Sequence, residues 1–515
     1  MAAGAAEVRQ CARCGAPLSR YNAEPTCASC NQAGEPGRAP GEWLSLPAAD
    51  AATDDAGSVL RGWRASTGRS QVEVARLLGM TQQNLSLIEN GKQQMPYDVR
   101  QRAVAELGIS AEDLGLATGR RSAPSDLAPA VATDQARWRQ ERHWLNQHRS
   151  ELARLAAALY PAEQQVPETP LVAGQGWIPA EPVDLASLRL TLDEGPHPVA
   201  VDGGEPETDR VRPLCAPAQR FDCYTAAIRH LDPPRLFESR PSYRLLGEQF
   251  GAETLHFGLS AYFDKLDVSE ALGHELAVAC MGAGGIPATP DAVRDALPFR
   301  ALIGDPFDPA RRAIIPAVTT LTIRLRRWPA EPTFLLHWRD PAKVATAAGI
   351  YDVIPAGEFQ PASVDLWDRR NDFDVWRNIV REYSEELLGA PEHDGTRSKP
   401  IDYDSWPLYR ALGDAKAGGK LATYALGLGL DALTLAATIL TVVVIDDDVF
   451  GEVFGAAVRT NAEGEIVAIG DGRAAEGVPF TAESVQRLLT SEPMASPGAA
   501  CLALAWRHRH RILGL

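Results

Sequence analysis

Residues 58–109 leave the chain the fewest options. Apolar residues recur there in short blocks at helical spacing: Val59, Leu60 and Trp63; then Val72, Val74, Ala75, Leu77 and Leu78; then Leu85 and Ile88; then Val99, Ala103, Val104 and Leu107. Gly68, Gly79, Gly91 and Gly108 fall just after these blocks, where a helix stops most readily on a left-handed residue. Ser70 and Thr81 stand at N-cap positions, and Pro96 suits the first turn of a fourth helix. The pattern predicts four short helices and a fifth at about 110–114, an all-α five-helix unit over 57–117.

The helices expected over 71–78 and 82–89 are joined by a few residues around Gly79. At helix-turn-helix spacing the second helix of such a pair enters the major groove of DNA. Its exposed face would carry Gln82, Gln83, Asn84 and Ser86. An amide suits that task, because it accepts from adenine N6 while donating to N7. Gln71 opens the preceding helix, so its amide and the helix N-terminus would face a phosphate; Arg69 and Lys92 are further phosphate contacts. These residues resemble the phage repressor/Cro helix-turn-helix family over about 58–114. The string SQVEVARLLGMTQQNLSLIENGK and the proline at 96 are the most specific parts. The resemblance implies a compact five-helix domain on double-stranded DNA. It places phosphate contacts at Gln71, Asn90 and Lys92 and base contacts at Gln82 and Gln83. Family members often carry more basic residues after the Gly-Lys pair. Gln93, Gln94 and Met95 stand there in this chain, which implies modest nonspecific affinity.

A chain of 515 residues exceeds one core and predicts about three domains. The net charge of −16 argues against general nucleic-acid coating and against anionic membranes. Within 58–109, however, seven bases (Arg61, Arg64, Arg69, Arg76, Lys92, Arg100, Arg102) face four acids (Glu73, Glu89, Asp98, Glu106). A mildly basic reader in an acidic chain needs specific contacts, and a homodimer, to bind tightly. The N-terminus MAAGAAEVRQ lacks a charged segment followed by an apolar core, so no secretory leader is expected. The longest apolar run, 421–445, is broken by Thr423, Gly427, Gly429 and Asp431 and does not read as a membrane helix. With Cys215, Cys223, Cys280 and Cys501 scattered, a reduced, cytoplasmic and nucleoid-associated protein is expected.

Cys11-x2-Cys14 and Cys27-x2-Cys30 are two knuckles separated by twelve residues. Four thiolates at this spacing can surround one zinc ion and leave no open coordination position, so residues 1–35 read as a structural zinc ribbon. So short and apolar-poor a segment would fold on its metal. Residues 36–56 and 118–133 read as linkers. Residues 134–160 read as one long helix with Trp138, Leu145, Leu152, Leu155 and Leu159 on a face, available either to dimerise the protein or to pack on its own domain.

Residues 167–328 carry strand-like pieces at 187–192, 242–246, 254–263 and 317–328, an α+β domain of unassigned role. His274-Glu275 begins a possible zinc-protease motif, but the second histidine position holds Val278 and that reading fails. Residues 329–515 form a second α+β region containing an amphipathic helix over 373–388. In that helix Glu382, Glu385 and Glu386 fall at i, i+3 and i+4, three carboxylates on one face that suit magnesium and a diphosphate. A plain solvated acidic face is the alternative. Arg381-Glu382-Tyr383-Ser384-Glu385-Glu386 resembles the REUxEE core of the Nudix box. The family's earlier glutamate and glycine positions hold Phe373 and Trp367, and Gly389 comes one residue late. Gly357-Glu358 stands as a displaced equivalent with 359–372 inserted. A Nudix-like α/β/α domain so altered implies sensing of a nucleotide-like ligand before magnesium-dependent hydrolysis of a nucleoside diphosphate derivative. The layout is similar to large actinobacterial regulators with a repressor-type reader in front. The expectation is a multidomain, dimeric transcriptional regulator more than an enzyme.

Overall fold

The computed structural model describes residues 56–109 except 68, 79, 81, 90–94, 96 and 108, then 114, and residues 128–514 except 235–236, 250–253, 328–329, 340–349, 391–398, 455–463 and 468–476. The described residues fall into two compact units, one ending at Ala132 and one starting at Thr133.

The first unit holds α1 (Ala56–Thr67), α2 (Gln71–Leu77), α3 (Gln82–Glu89) and α4 (Tyr97–Leu107). Ser70 caps α2 as its sequence predicts. Its hydroxyl accepts from the Glu73 N–H at 3.3 Å, and Glu73 accepts from the Ser70 N–H at 2.8 Å. Such a box satisfies two N-terminal donors that the helix itself cannot. Leu60, Val74, Leu78, Leu85 and Ile88 are wholly buried between the helices. Each buried side chain of that size contributes about 1.5–3 kcal/mol through lost apolar contact with water. Of the expected fifth helix, Leu114 alone is described, a buried turn residue.

Two helices, α5 (Pro129–Gln147) and α6 (Arg149–Ala157), replace the single helix expected over 134–160, and α5 belongs to the second unit from Thr133 on. The break falls at His148, whose ring stacks on Trp144 at 4.2 Å and hydrogen-bonds the Trp144 carbonyl at 2.9 Å. Trp138, Leu145, Leu152 and Leu155 are buried in the unit's own core. Of the two roles open to that face, packing is the one observed.

An eight-stranded sheet forms the centre: β1 (Leu171–Val172), β2 (Val183–Asp184), β3 (Pro316–Arg327), β4 (Ala330–Phe334), β5 (Ala356–Glu358), β6 (Leu421–Asp431), β7 (Ala437–Asp446) and β8 (Val478–Pro479). The order is β1-β6-β7-β3-β4-β8, with β5 also on β3 and β2 on β6. β7 runs parallel to β3, from Ala437 opposite Pro316 to Asp446 opposite Leu325. β6 and β7 are buried almost throughout, which is why 421–445 reads as a near-continuous apolar run. A helix over Ser496–Arg507 packs on β3, β6 and β7. The boundary expected at 328/329 therefore cuts through one sheet and one core, and 167–328 and 329–515 are not separate bodies. Among the described residues no helix is long and apolar enough to cross a membrane.

Helices α7 (Tyr224–Leu231) and α8 (Tyr262–Gly282) meet α5 through a buried polar chain. Arg142 donates to the Tyr224 hydroxyl at 3.1 Å and to Glu270 at 3.1 Å, and Arg149 donates to Glu270 at 3.3 Å. Tyr224 lies 2.8 Å from His274 Nδ1, and His274 Nε2 lies 3.0 Å from Glu141. With its oxygen accepting from Arg142, Tyr224 donates to Nδ1, which leaves the Nε2 proton for Glu141. Burial holds His274 below the ordinary imidazole pKa, so it is a neutral, satisfied core histidine.

Candidate nucleic-acid interface

The first unit is tied together by one carboxylate. Glu89, the last residue of α3, is 2% exposed and takes a fork from Arg64 on α1, Nε to Oε1 at 2.6 Å and Nη2 to Oε2 at 2.8 Å. Gln71, at the start of α2, donates its amide to Glu89 Oε2 at 2.8 Å. Burial would raise the Glu89 pKa, but the hydrogen bonds from Arg64 and Gln71 outweigh it and hold the carboxyl below its usual range. The same contact raises Arg64. One ion thus fixes the positions of α1 and α2 against the end of α3, the geometry on which a groove-reading helix depends.

Gln82 is exposed in the first turn of α3, as base reading requires, while Asn84 and Ser86 are half-buried. Gln83 belongs to α3, but its side chain lies outside the described residues, as do Asn90 and Lys92. Gln71 is half-buried and braces α2 against Glu89, a contact its sequence position did not announce. Arg69 is exposed, 5.9 Å over the Trp63 ring, and its carbonyl accepts from Arg64 at 3.5 Å. Sequence reading missed Arg64 and Glu89 as organisers. The available signal was a charge beside each apolar stripe, Arg64 after Trp63 and Glu89 after Ile88.

Short helices of this spacing, with a polar first turn on the second of the pair, define a helix-turn-helix DNA-binding unit. Residues 55–117 match the family described as a helix-turn-helix domain. No curated protein matches the chain.

The acidic helix of the second unit is α9 (Val375–Glu382), continued by a π-helical turn over Tyr383–Leu387. The Leu388 N–H reaches the Tyr383 carbonyl at 3.3 Å, five residues back. A π turn takes up one residue more than an α turn. That extra residue accounts for Gly389, at φ +67°, arriving one position late. β5 lies against this helix. Glu386 accepts from the Ala356 N–H at 3.0 Å, and the Glu382 carboxylate sits so close to Gly357 that a methyl there would meet it at 2.1 Å. Glu358 is paired instead with Lys265 of α8. Phe373, in place of the family's acid, packs among Tyr243, Phe257 and Phe359.

Glu386 accepts from a backbone donor and Glu358 pairs with an ammonium, and among the described residues no three acidic, imidazole or thiolate groups gather to hold a metal. Cys11, Cys14, Cys27 and Cys30 lie outside the described residues.

Proposed function

We propose that the chain is a sequence-specific transcriptional regulator that binds its operator as a homodimer. In this reading the second unit senses a small-molecule, nucleotide-like or protein effector. The exposed Gln82 in the first turn of α3, on a helix tied to α1 and α2 through Glu89, carries the reading. Gln82 and Gln83 read bases; Arg69, Asn90 and Lys92 contact phosphate, with Asn84 and Ser86 at the edge of the contact. Effector control requires that the effector bind two states of the protein unequally.

A gel-shift titration on the DNA upstream of the protein's own coding sequence tests it. Each bidentate amide–adenine pair is worth about 1–3 kcal/mol. The Gln82→Ala, Gln83→Ala double variant should therefore lose roughly 100-fold or more in specific affinity while nonspecific binding persists. Unchanged specific shifts would remove the reader assignment. The knuckle ahead of the reader is proposed as a structural zinc site. Metal analysis of the purified chain should return about one zinc, and a folded, zinc-free N-terminus would refute that part.

A further inference from the structure

A cleft in the second unit carries charges of both signs that the protein leaves unpaired. Its volume is about 570 Å³, and its walls include Tyr160, Gly174, Trp177, Asp305, Phe307 and Asp308. Small-molecule sites span about 300–1,000 Å³. Two buried arginines stand behind this wall. Arg300, 9% exposed, donates to the Tyr160 hydroxyl at 2.8 Å and to the Ala432 carbonyl at 2.9 Å. Arg312, 3% exposed, donates to the carbonyl of Pro306 in the cleft wall at 3.3 Å. Among the described residues neither forms an ion pair, and the Nε of each is buried without a partner. Burial pushes Arg312 down to about 10, and the neighbouring Arg300 adds repulsion. A guanidinium buried this way is costly unless an anion accompanies it. The Tyr160 hydroxyl, already accepting from Arg300, keeps one O–H to give and has no acceptor for it among the described residues.

The other wall is acidic. Asp305 accepts from the Phe307 N–H at 3.0 Å and Asp308 from the Ala310 N–H at 2.9 Å, and neither meets a cation among the described residues. Between the two ends lies an apolar surface, the edge-to-face pair of Trp177 and Phe307 at 5.2 Å. A methyl on Gly174 would stand 2.9 Å from the Trp177 indole nitrogen, so glycine there leaves that edge of the ring uncovered. We propose that this cleft is the effector site of the second unit and that it takes a free α-amino acid with an apolar or aromatic side chain. The carboxylate accepts from Tyr160, with Arg300 and Arg312 behind it; the ammonium meets Asp305 and Asp308; the side chain lies on Phe307 and Trp177. A charge-assisted bond at each end fixes the ligand's direction. A diphosphate would set like charge against the two aspartates, whereas a ligand of zero net charge is indifferent to the chain's −16. The proposal rests on reading the second unit as an effector sensor and names the chemistry it senses.

Isothermal titration calorimetry of the full chain with three related probes decides it: L-phenylalanine, 3-phenylpropanoate, which lacks the amine, and 2-phenylethylamine, which lacks the carboxylate. L-phenylalanine should bind with a millimolar or lower Kd, and each of the other two roughly tenfold or more weakly. Tyr160→Phe keeps the ring and should weaken L-phenylalanine by a similar factor while leaving 2-phenylethylamine unchanged. Asp305→Asn, at an exposed position whose turn acceptor is kept, should weaken L-phenylalanine and leave 3-phenylpropanoate unchanged; it stands alone if Tyr160→Phe fails to fold. No saturable heat from L-phenylalanine at millimolar concentration, or an affinity that both variants leave untouched, would overturn the site and leave the DNA reading intact. Binding that follows this pattern yet leaves specific DNA affinity unchanged would sink the effector role and leave the site standing.

Discussion

Replacing Arg142 with alanine is expected to unfold the second unit or bring it close to unfolding. The side chain is 2% exposed, donates to Tyr224 and Glu270, and lies 5.2 Å over the Trp138 ring and 5.7 Å over that of Tyr224. Its loss opens a cavity between α5, α7 and α8 and leaves Glu270, 4% exposed, with Arg149 alone. Removing one partner of a buried ion pair costs about 3–5 kcal/mol, against a whole-domain stability of about 5–15 kcal/mol. Urea titration followed by tryptophan fluorescence should show the midpoint fall sharply or the cooperative transition vanish. Adding Glu270→Gln to an Arg142→Met background should restore part of the loss, because the stranded carboxylate is then gone. An Arg142→Ala midpoint equal to the wild type's would show that the network contributes nothing.

What the sequence disclosed, and what it hid, follows from the range of the interactions. The capping box at Ser70 and Glu73 spans three residues, so it could be read directly, and α2 and α3 appeared within a residue of their expected limits. The strands at 189–192, 254–261 and 316–327 were legible from alternation or β-rich composition. Their partners were not. β3 joins β7 across more than a hundred residues, and no local period encodes that pairing. The domain boundary expected at 328/329 failed for this reason. The role of Arg64 and Glu89 was hidden likewise, since they are 25 residues apart and each looked like a solvated charge. A residue's own side chain can also serve an unforeseen partner: Gln71, expected at a phosphate, also donates to Glu89 eighteen residues on. The acidic stretch was ambiguous for another reason. Three glutamates on one helical face say nothing of what else packs there, and Ala356 and Lys265 arrive from elsewhere in the chain.

Arg64→Ala should destabilise the first unit and also reverse how its stability depends on pH. In the wild type the folded pKa of Glu89 lies below its unfolded value of about 4.3, because the bonds from Arg64 and Gln71 outweigh burial. A depressed carboxyl contributes stability that is fully present above the unfolded pKa and is lost as the pH falls through the folded one. The wild-type contribution is therefore intact at pH 7 and disappears in acid. Without Arg64 the carboxylate, 2% exposed, keeps Gln71 as its donor and loses its paired cation, with only the weaker field of Arg61 left. Burial then governs and lifts the pKa above the unfolded value. The sign changes: the variant should lose about 3 kcal/mol at pH 7 and recover part of it in mild acid as the carboxyl protonates. Denaturant titrations of the full chain at neutral and mildly acid pH, with operator binding followed alongside, measure this. Specific DNA affinity should fall at neutral pH with the bracing of α2 against α3, even though no DNA-facing residue has changed. A variant that weakens further on acidification, as the wild type does, would mean that Glu89 is not the ion on which α1, α2 and α3 are assembled.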